Sequence, residues 1–579
     1  MGAEKERATG RLRRAVQWWP LAVRRREDQV YLVLALVIGA LVGLAVVAFI
    51  LLTERLGARL YPPGGAGWRR FLMPVLGALG MGILLYRHFP DARGSGVPQT
   101  KAALFAGEGR ITLNTVLGKF FCTATTLAAG IPLGREGPAV QVGAGIASVL
   151  GRRLGLSTAR VKSLIPVGAA AAIAAAFNTP LAAVLFALEE VMGNLNAPML
   201  GSVVLSSATS WMVLRLLLGN EPLFHVPQYQ LVHPAEFGVY AILGVAGGLV
   251  SVVFVKLLLG LRARFLRLPK RTGWFQPLAG GLAVGLAGWY VPQVLGVGYW
   301  YVGEALNSRM VLQLMALLVV LKVLTVTLSY ASGNAGGIFG PSLFIGAMLG
   351  GTVGSVAHHF APAYTAVPGA YALVGMGAAF AGIVRTPMTS VMMIFEVTRD
   401  YAIIVPLMIS NLVSFFISRW LQPQPIYEAL ALQDGIHLPT AGTGEREDRY
   451  RVSHAMRPAT ETLAEDMRVE EALEHVRRSE FHTWPVGTLH RVVGVVTAAR
   501  LQQLVGEGAG NRKMQEIMEP QEFPHVHTDQ SLHLALQRIG EAELDRLPVV
   551  SRADVHELLG VVVLRDILKE YGIGQATGG

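Results

Sequence analysis

Lys119, Gly134-Arg135-Glu136-Gly137-Pro138, Thr179-Pro180, Val184 and Glu189 form a pattern that returns as Lys322, Gly337-Ile338-Phe339-Gly340-Pro341, Thr386-Pro387, Val391 and Glu396. In both copies the lysine stands 15 residues before the first glycine and the glutamate 9 after the Thr-Pro proline, and a further glycine (Gly168, Gly375) lies 12 before that proline. A long apolar unit present twice, with glycine and proline interrupting its helices, predicts a transporter-like architecture whose site lies at the repeat interface near mid-membrane.

Composition agrees. Hydrophobic residues make up 52% of the 579 and charged ones 15%, too apolar for an ordinary soluble protein. Residues 31–52 run without a charge, enough to cross a hydrocarbon core of about 30 Å. Further candidate crossings lie near 71–86, 200–218, 236–258, 276–290, 310–330 and 402–418. Between them the apolar stretches are short and glycine-rich, and broken helices are stable in lipid only where protein or a wet cavity satisfies their freed backbone groups. Eight basic residues in the first 27, with no signal-like apolar core before them, place that end in the cytoplasm. The net charge of +11 suits a basic cytoplasmic face and an anionic solute rather than nucleic acid. Cys122 is the single cysteine, which leaves no intrachain disulfide and no cysteine metal cluster.

Past residue 420 the chain becomes polar and then reads as soluble α/β. His454-Ala455-Met456-Arg457-Pro458, Trp484-Pro485-Val486 and Gly494-Val495-Val496 are echoed by Glu516-Ile517-Met518-Glu519-Pro520, Leu547-Pro548-Val549 and Gly560-Val561-Val562. Helical stretches follow each Met-x-Pro unit, and Val492 to Val496 and Leu558 to Val563 read as strands. If both ends are cytoplasmic the membrane is crossed an even number of times, so each half can cross an odd number and one half is inverted.

The breaks carry the chemistry. In Arg93-Gly94-Ser95-Gly96-Val97-Pro98 the glycines permit a tight turn and Pro98 suits a first helical turn, which places Ser95 at a helix start as either an ordinary N-cap or an anion donor. The two Gly-x-x-Gly-Pro turns open helices in the same way. Three such starts suggest one shared anion, held by amides that attract it without a full charge. Glu136 puts a carboxylate where that anion would sit: ionised it can occupy the seat, protonated it should leave. Glu189 is matched by Glu396 and reads as structural, whereas the position matching Glu190 holds Val397, making Glu190 the better proton relay. Lys119 and Lys322 either raise the potential along an anion route or snorkel or pair with a carboxylate. Tyr427, after the last apolar stretch, offers a phenol near the cytoplasmic mouth. His358-His359 has no metal-ligand partners at useful spacing.

At these residues the chain resembles the CLC family of chloride channels and chloride/proton antiporters, with the tandem CBS domains many members carry; the match runs from about residue 30 to 572. The resemblance implies an all-α polytopic membrane domain of inverted repeats and broken helices, followed by a cytoplasmic α/β CBS pair. The boundaries expected are 1–29 basic segment, 30–430 transport domain (halves about 30–218 and 236–420), 431–449 linker, 450–508 and 509–572 CBS domains, and 573–579 tail. It implies a homodimer in a cell membrane, multi-pass with both termini cytoplasmic, in which each subunit has its own anion pathway. By resemblance Ser95 and Tyr427 supply hydroxyls and Ile338 and Phe339 backbone amides to chloride, Glu136 is the external gate, and Glu190 the internal proton glutamate. Family channels usually lack that last acid, so the expectation is chloride/proton antiport, with a passive chloride channel as the alternative.

Several positions depart from the family pattern. Gln99 and Lys101 stand where an acid commonly follows the proline, which predicts a more positive cytoplasmic entrance. Ser95 rather than proline matches chloride-preferring members. The CBS nucleotide element reads Thr497-Ala498-Ala499-Arg500 without its acid and Val563-Leu564-Arg565-Asp566 without its hydroxyl, so adenine nucleotide is not expected and no cofactor is required. A divalent-cation carrier would need convergent membrane carboxylates, and an enzyme a nucleophile with its base; neither pattern is present.

Overall fold

The computed structural model describes residues 27–570 apart from 63, 195–198, 220–221, 225, 228, 230, 437, 439–449, 519–522 and 543. The basic N-terminal arginines, most of the expected linker, Glu519-Pro520 and the tail lie outside the described residues. Contacts divide the chain into two units, Met1–Leu438 and Pro439–Gly579.

The first unit is helical, and its two halves match element by element. One half runs α1 (Glu27–Leu60), α2 (Gly67–Arg87), α3 (Val97–Phe105), α4 (Leu113–Ala128), α5 (Glu136–Arg153), α6 (Thr158–Phe177), α7 (Pro180–Phe186) and α8 (Leu200–Leu218). The other runs α9 (Glu236–Leu266), α10 (Pro277–Tyr290), α11 (Tyr299–Leu306), α12 (Leu312–Ala331), α13 (Phe339–Phe360), α14 (Pro368–Val384), α15 (Pro387–Thr398) and α16 (Ile404–Leu421), and α17 (Ile426–Gln433) follows. Among the described residues eight helices are long and apolar enough to cross a membrane, and the protein is a multi-pass integral membrane protein. α6 and α13, which are long enough to cross, were not among the expected crossings: they are rich in alanine and glycine and contain Pro166 and Pro341, so their apolar runs read as broken. The segment near 276–290 is instead a helix of 14 residues, about 21 Å long and short of a full crossing.

Equivalent residues meet at a local two-fold. Gly134 and Gly337 form an antiparallel bridge, each amide donating to the other's carbonyl at 2.7 Å. Antiparallel pairing of matching residues reverses one half relative to the other at that point. Glycine also sets the crossings within each half. A Cβ on Gly143 would lie 2.3 Å from the Gly168 carbonyl oxygen, and one on Gly346 would lie 2.3 Å from that of Gly375, so α5 crosses α6, and α13 crosses α14, at backbone contact. α6 ends at Asn178 and α14 at Arg385, both left-handed (φ 61° and 69°), and Thr-Pro then opens the next helix with proline in the first turn.

The second unit is α/β. It comprises α18 (Val452–Ala455), β1 (Met456–Arg457), α19 (Val469–Arg477), β2 (Thr483–Thr488), β3 (Arg491–Thr497), α20 (Ala498–Gly506), α21 (Met514–Ile517), β4 (Val526–His527), α22 (Leu532–Glu541), β5 (Arg546–Val550), β6 (Leu558–Val563) and α23 (Leu564–Glu570). One sheet has the order β1-β6-β5-β4 and the other pairs β2 with β3. β1 opens the first module yet pairs antiparallel with β6 of the second, Met456 opposite Val562. The Arg546 guanidinium lies 4.2 Å from the Trp484 ring and 4.6 Å from that of Phe481, joining the modules.

Candidate functional site

Three helix starts converge where the halves meet. The turn before α3 has Gly94 at φ 89° and Gly96 at φ 101°, a region open to glycine. A Cβ on Gly96 would lie 2.3 Å from the Gly137 carbonyl oxygen, and one on Gly137 would lie 2.6 Å from that of Ser95. The α3 turn therefore rests directly on the start of α5, which the Gly134–Gly337 bridge ties to the start of α13. The first amides of a helix have no intrahelical acceptor. Gly337 gives its amide to Gly134 and Gly340 gives its own to Glu136; the Ile338 and Phe339 amides lie between, both residues fully buried. Phe339 is wedged among Phe177, Phe186 and Phe380, with centroids 4.8, 5.6 and 4.3 Å away.

Two buried hydroxyls complete this place. Ser95 and Tyr427 are 0% and 1% exposed, and α17, which carries Tyr427, packs against α3. The two side chains are near neighbours, and neither hydroxyl reaches a partner at full hydrogen-bond geometry among the described residues. Buried hydroxyls are normally satisfied, so this pair has donor capacity for a small anion. The Ser95 amide is already committed, donating to the Tyr330 hydroxyl at 3.2 Å.

Glu136 closes one side. Its carboxylate is fully buried, accepts from the Gly340 amide at 3.2 Å and takes a hydrogen bond from the Tyr299 phenol. A Cβ on Gly134 would lie 2.4 Å from its Oε2, so glycine there leaves room for the carboxylate. Beyond it lies a cavity of about 790 Å³ lined by Glu54, Tyr61, Arg70, Arg135 and Tyr299, where Arg135 pairs with Glu54 at 3.2 Å. A separate cavity of about 560 Å³ lies against the Ser95 turn, lined by Arg93, Gln99, Arg110, Arg262, Tyr330 and Asp434.

Glu190 sits in a π-turn, Ala187–Met192, that follows α7, whereas the matching α15 is regular throughout. Such turns redirect side chains at functional positions. Lys101 reaches its Oε1 at 2.8 Å and stands 3.9 Å from Glu428, all three side chains nearly buried. Lys101, expected to add positive charge at the cytoplasmic entrance, is engaged by Glu190 within the protein. Gln99 accepts from the Gly96 amide at 2.9 Å and so caps the α3 turn. Tyr427 is in electrostatic reach of both Glu190 and Glu136.

The paired residues prove to be architecture. Glu189 accepts from the Met388 and Thr389 amides at 3.3 and 2.8 Å and from the Thr389 hydroxyl at 2.7 Å, while Glu396 accepts from the Leu181 and Ala182 amides at 3.0 and 2.7 Å. Each glutamate thus caps the Thr-Pro helix of the other half. Lys119 donates to the Ala92 and Gly94 carbonyls at 2.9 and 2.5 Å, and Lys322 to those of Val294 and Gly296 at 3.0 and 2.8 Å. Both clamp a glycine turn, rather than snorkelling or pairing with an acid. His358 contacts Thr365, and among the described residues no three His, Cys, Asp or Glu side chains gather as a metal site would require.

Tyr299, Tyr330 and Lys101's partnership escaped the sequence reading. Tyr299 had a signal: Gly296-Val297-Gly298-Tyr299 repeats Gly94-Ser95-Gly96-Val97, 26 rather than 25 residues before its lysine. The single-residue difference breaks the register.

The voltage gated chloride channel family model matches residues 76–419, and CBS domains match 452–506 and 514–572. The H(+)/Cl(-) exchange transporter ClcA of Vibrio campbellii is 34% identical over 358 residues, 60% of this chain and 75% of its own length. A putative chloride channel protein ClcB-like of Ralstonia nicotianae is 33% identical over 385 residues, 65% of this chain and 89% of its own. Among solved structures, a slow cyanobacterial Cl-/H+ antiporter superposes with a TM-score of 0.63 at 27% identity, covering 70% of this chain and 97% of its own. A eukaryotic CLC transporter superposes with a TM-score of 0.64 at 21% identity over 93% and 97% of the two chains, which speaks for the fold alone. With the match spanning the repeat and the convergent helix starts, the chain belongs to the voltage gated chloride channel family and carries two CBS domains after its membrane unit.

Proposed function

We propose that this protein exchanges chloride for protons across its membrane. The observation that carries the reading is the place of Glu136: a fully buried carboxylate at the meeting of the helix starts, on the Gly340 amide, beside two amides and two hydroxyls without a partner at full hydrogen-bond geometry, suited to an anion. A negative side chain and a negative solute therefore compete for neighbouring positive ends of helices. Chloride is held by the Ser95 and Tyr427 hydroxyls and the Ile338 and Phe339 amides; Glu136 fills the outer seat when ionised and vacates it when protonated. Glu190 supplies the proton from the cytoplasmic side, with Lys101 holding its charge and Tyr427 between the two acids. The exchange transporters among its relatives support this over a passive channel.

In liposomes with opposed chloride and pH gradients, the reversal potential should move with both; a reversal that ignores the proton gradient refutes antiport. Glu136→Ala should keep chloride flux and lose proton coupling, and unchanged coupling removes its role.

From membership of the family we further infer a homodimer with a pathway in each subunit, lying in a cell membrane with both termini cytoplasmic. Thr497 caps α20 by accepting from the Arg500 amide and Asp566 is bound by Arg457; with Arg500 in place of the first element's acid and Val563 in place of the second's hydroxyl, the CBS pair works without adenine nucleotide. The activity is transport rather than bond-making, needs no cofactor and engages no nucleic acid.

A further inference from the structure

The outer glycine turn is the repeat partner of the turn that carries Ser95. Gly296 and Gly298 hold φ of 61° and 85° where Gly94 and Gly96 hold 89° and 101°, and each turn has a buried lysine on two of its carbonyls. The hydroxyl has moved by two positions: Val297 matches Ser95, and Tyr299 matches Val97. The inner turn aims its hydroxyl at the anion seat. The outer turn aims one at the carboxylate that replaces the anion.

Tyr299 touches both the gate and the outside. Its phenol donates to Glu136, and a Cβ on Gly340 would lie 2.9 Å from its Oη, so the hydroxyl is pressed against the first turn of α13. The same side chain lines the 790 Å³ cavity. Its ring is fixed edge-on to Phe224, with centroids 5.7 Å apart, and lies under the Arg135 guanidinium at 5.6 Å. The charged groups facing it are Glu136, Arg135 and, through Arg135, Glu54; Arg70 lies across the cavity. Of the two hydrogen bonds on the seated carboxylate, the Gly340 amide belongs to the helix backbone and the phenol to a side chain held by its neighbours, so the carboxylate is the group that moves when the bond is lost.

Resting on the reading of Glu136 as the gate, we propose that Tyr299 is a positioning residue that latches the ionised carboxylate in its seat and releases it toward the outer cavity. When a hydronium from that cavity protonates Glu136, the carboxyl gains the proton, water is left behind, and the phenol keeps its own hydrogen. The neutral acid is a weaker acceptor than the carboxylate, so the latch opens as the charge is lost.

Tyr299→Phe keeps the ring, its Phe224 contact and its place under Arg135, and deletes one hydroxyl. With the latch gone, chloride flux into proteoliposomes should rise about tenfold at neutral external pH, and its external-pH profile should move about one unit toward alkaline, tenfold being the worth of one unit. In a Glu136→Ala background Tyr299→Phe should change flux by less than about twofold, because the groups act as a pair. The inference is overturned if the Tyr299→Phe profile superimposes on wild type, or if the same rise persists without Glu136. Glu136→Ala alone separates the two readings: if it keeps pH-dependent flux the gate falls, and if it loses that dependence while Tyr299→Phe is silent only the latch falls.

Discussion

Replacing Glu189 by alanine should weaken the fold and leave proton coupling in the surviving protein. The carboxylate holds the Met388 and Thr389 amides and the Thr389 hydroxyl, and the two amides belong to the first turn of α15, where no intrahelical acceptor exists. The bond at 3.3 Å is weak; the two at 2.8 and 2.7 Å carry the energy. Leaving a donor unsatisfied costs about 1–3 kcal/mol, and losing an anion at a helix start about 0.3–1 kcal/mol more. Glu189 is only partly buried, which favours the lower half of the range, and the total is about 3 kcal/mol. Glu396→Ala strands two amides of α7 in the same way and should cost a similar amount. Glu190→Gln should reduce proton coupling, with Glu428 left as the acid nearest Lys101. Heating the detergent-solubilised variants and reading the fraction that stays monodisperse by gel filtration, alongside gradient-driven flux, checks both halves. A Glu189→Ala protein as stable as wild type but uncoupled would refute the reasoning, because it would assign the proton route to the paired glutamate.

Lys119→Met and Lys322→Met remove a charged donor from two carbonyls each, at about 2–4 kcal/mol. Both should lower heat stability; among the folded fraction, flux assays should show Lys119→Met slowing chloride at the Ser95 turn and Lys322→Met altering the external-pH profile at the Tyr299 turn. In the second unit the Arg552 guanidinium hydrogen-bonds Asp529 at 2.8 to 3.1 Å and holds its carboxyl below the usual carboxylate value of 3.8. A lowered folded value means the contribution is complete above 3.8 and is lost as pH falls through the folded value. Urea midpoints of this unit should therefore show Arg552→Ala weaker than wild type at neutral pH and equal to it in strong acid.

Periodicity and spacing exposed the duplication, the glycine-opened helices and the contrast between Glu189 and Glu190, because a repeat compares itself: what both halves keep builds the frame, and what one half changes stands out. The α6 and α13 crossings were hidden, since proline and runs of small residues within them read as short, broken apolar stretches. The roles of Lys119 and Lys322 were hidden too, because a lysine in an apolar run does not say which carbonyls it meets 25 or more residues away.

The order of residues alone determined that this chain is a duplicated membrane unit with three interrupted helix starts and a paired soluble module, since composition and spacing are properties of the chain. Only the tertiary structure decided which starts come together, that Lys101 pairs with Glu190, and that the Tyr299 phenol reaches Glu136 across 163 residues. Contacts of that span depend on how two halves close on a common axis, and no local pattern encodes the distance between side chains that folding brings together.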